Sequence, residues 1–299
     1  MDPIEHITIS EGQVGLRLDQ ALAFSRQGLS RTQAQRMIEL GRVKVNGKVE
    51  KKRYVVAHND EIAFELIEEE PLHVQAEPMN FEVLFEDEWL LVVNKPPGLV
   101  VHPAPGNRSG TFVNGLVAHC SDFTCEDPVR PGIVHRLDKD TSGVLLAAKS
   151  QEMVQALSCQ FHDRSVEKEY CAIVVGEMKE EVTVCSCIGR HPKQRKKMAV
   201  IKGGKEAKTT FLPIRVANGY TFVKVIPYTG RTHQIRVHLA ELGLPIVGDT
   251  VYGRKKGVGR QMLHCSKLGC VHPKTGKKMV FTAALWEDMQ KVLRELGLS

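Results

Sequence analysis

The sequence predicts an α+β chain of two domains. A small α/β unit spans residues 14–67, and a larger domain over 80–299 is built on a mixed, mostly antiparallel sheet. Three observations carry this. The chain has 299 residues, about two domains at roughly 150 residues each. Glu68-Glu69-Glu70-Pro71 is a charge run followed by a helix breaker, with little to pack, and marks 68–79 as a linker. Beyond it, strands follow one another with helices between only some of them.

In the first unit, residues 15–27 place Leu18, Ala21 and Leu22 on one helical face, and Gly28 ends that helix. Ser30 with Gln33 three residues on makes a capping-box pattern for a second helix carrying Ala34, Met37 and Ile38, stopped at Gly41. Arg42–Val49 alternates around Asn46-Gly47, the strongest short hairpin signal, and Ile62, Phe64 and Leu66 supply a further strand.

The second domain opens with strands at Phe81–Phe85 and Trp89–Val93, then a loop at Asn94-Lys95-Pro96-Pro97-Gly98. Thr111 caps a helix carrying Phe112, Val113, Leu116 and Val117; Val144–Ala148 reads as a buried strand; Ser150 caps a helix running through Phe161. Tyr170–Val175, Val182–Ile188, Thr209–Val216 and Tyr220–Ile226 read as strands. Thr232 is placed to cap a helix with Ile235, Leu239 and Leu242, ended by Gly243. Met279–Leu285 is the last strand and 286–296 the last helix. No fixed-period repeat or low-complexity tract occurs.

Composition narrows the class. Apolar residues make up 42% and charged residues 25% of the chain, enough for ordinary cores. No apolar run approaches the roughly 20 residues of a membrane span. The first ten residues have neither a basic nor an apolar signal region, so the expectation is a cytoplasmic, monomeric protein with no membrane partner. The eight cysteines contain no CxxC; Cys185-x-Cys187 and the Cx4C spacings at 120–125 and 265–270 are weak zinc signals, and reduced thiols are expected. Net charge is +6, but residues 26–53 and 190–208 each carry +7, leaving −8 for the rest. Two basic segments on an acidic body fit a nucleic-acid footprint.

Special residues are densest at Gly132–Gly143, a polar loop running straight into the apolar stretch Val144–Ala148. Asp138, Asp140, Ser142 and Gly143 copy the start of a calcium loop, but Lys149 stands where its last carboxylate belongs. No phosphate-binding glycine loop and no nucleophile elbow is present. From residue types alone, a functional loop and a plain polar turn, in which Asp and Ser bond their own backbone, remain equally open.

Two resemblances bear on that choice. Residues 17–23 (Arg-Leu-Asp-Gln-Ala-Leu-Ala), residues 29–48 and the strand after them resemble the S4 RNA-binding domain. His135-Arg136-Leu137-Asp138-Lys139-Asp140-Thr141-Ser142-Gly143 is similar to the signature of the pseudouridine synthases of the RluA/RluD family. Asn94–Pro103, Lys168-Glu169-Tyr170, Thr229–Leu239, Gly248–Gly253 and Leu263–Gly276 match further motifs of that family in order. The likeness is greatest to the D-type member. It implies a pseudouridine-synthase fold and the isomerisation of uridines in large-subunit ribosomal RNA, without cofactor or metal.

By that resemblance Asp138 is the catalytic carboxylate, attacking base or sugar or starting proton removal from the ribose. Arg231 maps onto the family's late arginine and would hold Asp138 ionised through a planar fork, or else contact phosphate. Tyr170 would stack on the uracil with its hydroxyl near the departing C5 proton. Arg136 would fill the gap left by a flipped base, or bind phosphate. Ile235 packs on the base or in the core. Asp140 reads as a turn residue, and His135, His233 and His238 as structural. A non-catalytic RNA-binding protein and a metal-dependent RNA hydrolase are the rival classes; the set Asp138, Tyr170 and Arg231 argues against the first, and the lack of metal-ligand spacing against the second.

Overall fold

The computed structural model describes all residues except 1–3, 27, 28, 30, 67–73, 105, 121, 122, 126, 195, 196 and 254–257. The chain divides into two compact units, residues 1–71 and 72–299. Among the described residues no helix is long and apolar enough to cross a membrane.

The first unit runs β1 (Ile4–Thr8), α1 (Leu18–Ser25), α2 (Arg31–Glu39), β2 (Val43–Val45), β3 (Lys48–Val49) and β4 (Glu61–Glu65), with the strands ordered β1-β4-β2-β3. Leu18, Leu22, Met37 and Ile38 from the helices meet Val43, Val45, Ile62 and Phe64 from the sheet. Asn46 and Gly47 both take positive φ, 50° and 79°, as the tight hairpin requires. Strand β1 was not expected: it is a short alternating stretch that becomes a strand by pairing along β4. Leu66 lies just past the end of β4. The expected stop at Gly28, the cap at Ser30 and the first half of the 68–79 linker fall outside the described residues.

The second unit runs β5 (Val83–Glu86), β6 (Leu90–Lys95), α3 (Phe112–His119), β7 (Ser142–Ala148), α4 (Gln151–His162), β8 (Glu167–Val175), β9 (Val182–Arg190), β10 (Met198–Val200), β11 (Lys205–Ala217), β12 (Tyr220–Pro227), α5 (Gln234–Glu241), β13 (Leu263–Val271), β14 (Lys278–Thr282) and α6 (Glu287–Glu295). Its ten-stranded sheet has the order β10-β9-β11-β12-β8-β13-β7-β6-β5, with β14 beside β13. Among the described residues, only the β13–β7 strand pair is parallel. The fold is therefore α+β with a mixed, mostly antiparallel sheet.

Three expectations change. Asn94 and Lys95 are not loop but the buried end of β6. Thr232 does not cap α5: His233 does, in the left-handed region at φ 56°. Gln234 turns back instead, its Oε1 accepting from the Arg231 N–H at 3.0 Å and the Thr229 hydroxyl at 2.7 Å. Strand β13, read only as motif, is central. Its side chains are buried on both faces, so it lacks the alternation that announces a half-buried strand.

The sheet carries two apolar cores. One gathers β6, β7, α3 and α4; the other gathers β8, β12, α5 and α6. The parallel pair β7–β13 lies at their seam. Gly143 makes that approach possible: it has φ +110°, and a Cβ there would stand 2.2 Å from the Cys265 carbonyl oxygen.

Candidate active site

The loop before β7 is gripped through its backbone. The Thr141 N–H donates to the Asp138 carbonyl at 3.1 Å, closing a turn. The fully buried Lys95 ammonium donates to the carbonyls of Lys139 (2.9 Å), Pro96 (2.8 Å) and Leu99 (2.9 Å). Burial pushes the Lys95 pKa down to about 7, against the pull of Asp140. Arg260, forked onto Asp288 at 2.6 and 2.9 Å, donates to the Asp140 carbonyl at 3.2 Å. Two buried cations thus fix the carbonyls that follow Asp138.

Asp138 itself faces a cavity of about 380 Å³. The wall holds Arg136, Lys168, Tyr170, Arg231, His233, Ile235 and Arg236, and Asp138 is its sole carboxylate among the described residues. All five residues singled out in the sequence therefore line one cavity. Their contacts differ from expectation at Arg231, which makes no bond to Asp138. Its Nε donates to the Glu206 carbonyl at 2.9 Å. The guanidinium on Asp138 belongs to Arg236, with Nη1 donating to Oδ2 at 2.9 Å. Arg231 precedes α5, whereas Arg236 is carried on the buried side of that helix and turned to the cavity. The signal was present: an arginine between Ile235 and Val237 in an apolar helix demands a carboxylate.

Asp249 completes the arrangement. Arg236 Nε and Nη2 donate to its two oxygens at 2.7 and 2.9 Å, and the N–H groups of Val251 and Tyr252 add 2.8 and 3.0 Å bonds. Burial works against the Arg236 charge, but Asp249 and then Asp138 outweigh it and raise the pKa further. Burial likewise acts to raise the Asp249 pKa, and Arg236 holds it below the ordinary range. The Tyr252 ring covers the Arg236 guanidinium at 5.2 Å, and its hydroxyl lies 2.9 Å from His233 Nδ1. The other ring nitrogen of His233 stands 3.9 Å from Asp138 Oδ2. Burial lowers the His233 pKa and Asp138 opposes that shift.

Tyr170 is half-buried on β8. Burial, and then the neighbouring Cys265 thiol, raise its pKa well above the ordinary value, so the hydroxyl stays protonated. Ile235 is both cavity wall and core. Arg136 is exposed at the cavity and makes no hydrogen bond or ion pair among the described residues. His135 stacks on Phe161 at 4.9 Å and accepts from the Leu146 N–H at 2.9 Å; burial drives its pKa down to about 3. Asp140 makes no side-chain hydrogen bond among the described residues, so it is a turn residue by position only. No three His, Cys, Asp or Glu side chains come together to hold a metal among the described residues.

The catalytic unit has the fold of pseudouridylate synthases. Human RNA pseudouridylate synthase domain containing 1 aligns with it at a TM-score of 0.56 and 24% identity, over 75% of this chain and 98% of that one. Sequence comparison goes further. The family model for RNA pseudouridylate synthase matches residues 89–241, and that for the S4 domain matches 16–62. The uncharacterized RNA pseudouridine synthase YlyB of Bacillus subtilis is 44% identical over 294 residues, covering 97% of each chain. Ribosomal large subunit pseudouridine synthase D of Zymomonas mobilis is 38% identical over 99% of each chain, and that of Pseudomonas aeruginosa 39% identical over 92% of this chain and 90% of its own. The chain belongs to the RNA pseudouridine synthases and carries an N-terminal S4 domain.

Proposed function

We propose that the enzyme isomerises uridines of large-subunit ribosomal RNA to pseudouridine, with Asp138 as the catalytic carboxylate. The rRNA target is supported by relatives named ribosomal large subunit pseudouridine synthase D along nearly the whole chain. The reaction breaks the N1–C1′ bond, turns the uracil and joins C5 to C1′, with the C5 proton leaving. Atoms and electrons balance within the nucleotide, so the chemistry calls for no redox or group-transfer cofactor.

The observation that carries the reading is the Asp138–Arg236 pair inside the cavity. Arg236 pairs with the carboxylate and fixes its position, ready to act as nucleophile or base. The protonated Tyr170 hydroxyl and the Ile235 side chain offer a surface for the uracil. A paired or stacked uridine must leave its helix to reach such a pocket, at a cost of a few kcal/mol. Arg136, exposed at the cavity and without a partner among the described residues, would occupy the vacated space. The basic stretch 26–53 in the S4 domain and the one at 190–208 would hold the RNA through its phosphates.

Tritium release from C5-labelled uridine RNA tests the assignment. Asp138→Asn should abolish release while RNA affinity survives, because phosphate contacts supply most of it. Activity within about tenfold of wild type overturns the role of Asp138.

A further inference from the structure

The cavity holds a cation that no described residue neutralises. Lys168 sits two positions before Tyr170 on β8, and both side chains line the cavity. Its ammonium makes no hydrogen bond or ion pair among the described residues. Its Nζ lies 6.0 Å from the ring centre of Phe161, and that ring is stacked on a neutral His135. The carboxylates flanking Lys168 in sequence are committed elsewhere: Glu167 pairs with Lys278 and Glu169 with Lys224. The thiol of Cys265 is no counterion either, since burial pushes its pKa up to about 12. Burial lowers the Lys168 pKa in turn.

A half-buried, unpaired ammonium costs stability. Such a group marks a place where negative charge arrives later. The other cavity cations are differently placed. Arg236 has its donors on Asp138 and Asp249, Arg231 is tied to the Glu206 carbonyl, and Arg136 is exposed.

Negative charge does arise in this reaction. When the N1–C1′ bond breaks, its electron pair leaves with N1. The detached uracil is then an anion whose charge spreads onto O2 and O4. It must stay in the cavity, turn, and form the new bond through C5. In a pocket screened from water, a fixed positive charge is worth far more than in solution.

We propose that Lys168 is a further catalytic residue, whose ammonium stabilises the uracil anion between cleavage of the N-glycosidic bond and formation of the C-glycosidic one. This rests on the reading of the Asp138 cavity as the active site. The charge is needed at one stage only: Lys168 contributes little to RNA affinity and much to the rate of bond cleavage.

The test compares leaving groups in single-turnover reactions at saturating RNA, on fragments carrying uridine or 5-fluorouridine at the target position. Fluorine at C5 withdraws electrons and makes the departing base a weaker base that needs less help. Loss of the N-glycoside is followed in nucleoside digests by chromatographic retention and fragmentation spectra, because the isomers share one mass. Lys168→Met should lower the rate on uridine RNA by about 10²-fold, the scale of losing one such charge-stabilising donor. The loss on 5-fluorouridine RNA should be clearly smaller, and RNA affinity should stay close to wild type. Lys168→Arg, which keeps the charge, should recover most of the rate. Lys168→Gln repeats the comparison should the Met variant fold poorly by tryptophan fluorescence.

Equal losses on the two substrates overturn the proposal. So does a defect confined to RNA affinity with a shallower salt dependence, which would make Lys168 a phosphate contact. Asp138→Asn run alongside separates the two readings. If that variant is inactive and Lys168→Met is not impaired, only the role of Lys168 falls; if Asp138→Asn is active, the cavity is not the active site.

Discussion

Arg236 bonds two carboxylates at once, donating to Asp138 through Nη1 at 2.9 Å and to Asp249 through Nε and Nη2 at 2.7 and 2.9 Å. Asp249 is fully buried and takes the planar fork. The guanidinium is thereby fixed before any substrate arrives, and the position of Asp138 Oδ2 is inherited from it.

Replacing Arg236 should therefore damage both fold and catalysis. Arg236→Gln strands Asp249 as a buried, unpaired charge, at a cost of about 3–5 kcal/mol in urea unfolding. Arg236→Lys keeps a charge but not the fork and should lose activity by about 10²-fold or more. Arg231→Gln should leave stability within roughly 0.5 kcal/mol of wild type. An inactive, destabilised Arg231→Gln beside a benign Arg236→Gln would reverse these roles.

The S4 domain and the catalytic unit should separate. Removing residues 1–72 takes away the +7 stretch at 26–53 but no residue of the cavity. Each lost phosphate contact lowers the slope of log affinity against log salt by a little under one unit. The truncated enzyme should bind rRNA fragments more weakly and with a shallower salt dependence, yet turn over at saturating RNA. Unchanged affinity and slope would show the basic face of the S4 domain to be plain solvated surface.

Acid should weaken the catalytic unit well before its carboxylates titrate. Burial lowers the pKa of His135 to about 3 and those of His238 and His264 to about 4. Unfolded, each titrates near 6.5. Between these values the unfolded chain binds more protons, so stability falls as pH drops from about 6.5 toward 4, by up to about 1.4 kcal/mol per pH unit for each histidine. Below about 4, Asp249 and Asp288, whose pKa values are held down in the fold, extend the loss. Urea midpoints followed through Trp89 and Trp286, both in the catalytic unit, measure this. A flat midpoint from pH 6.5 to 4.5 would contradict it.

Gly143→Ala should be costly for its size. The new methyl meets the Cys265 carbonyl, and φ +110° strains any other residue. β7 must draw back from β13, carrying the Asp138 loop with it. A stability loss of at least about 2 kcal/mol is expected, together with lower activity at permissive temperature. A variant matching wild type in both assays would show that the pair tolerates a wider gap.

What the sequence revealed and what it hid have physical reasons. The Asn46-Gly47 hairpin and the Ser150 cap, whose hydroxyl accepts from the Met153 N–H, are local devices and legible as such. Asp138, Tyr170 and Ile235 stood out because they sit in dense motifs. Arg231 and Arg236 share one motif; the mapping onto the family's late arginine fell on Arg231, and the choice between them depends on which side chain the fold turns to Asp138. The start of α5 was placed one residue early because Thr232 looked like a cap and left-handed His233 did not. Strand β13 was hidden by burial on both faces, and Lys168 by its flanking glutamates, which look like partners until strand alternation sends them to the opposite face.

The central position of β13 also sets a schedule for the nascent chain. The S4 domain has its last strand once Glu65 has been made. The catalytic sheet cannot close until Leu263–Val271 emerges and slips between β7 and β8, where His264 meets Ser142 across 122 residues of sequence. At ordinary synthesis speeds of about 5–20 residues per second, the interval is about 10–40 s. From the completion of β8 at Val175 until β13 arrives, β7 and β8 offer unpaired edges to any passing strand. The protein thus acquires its basic N-terminal module early and its isomerase pocket last, and chaperone demand should concentrate in that window.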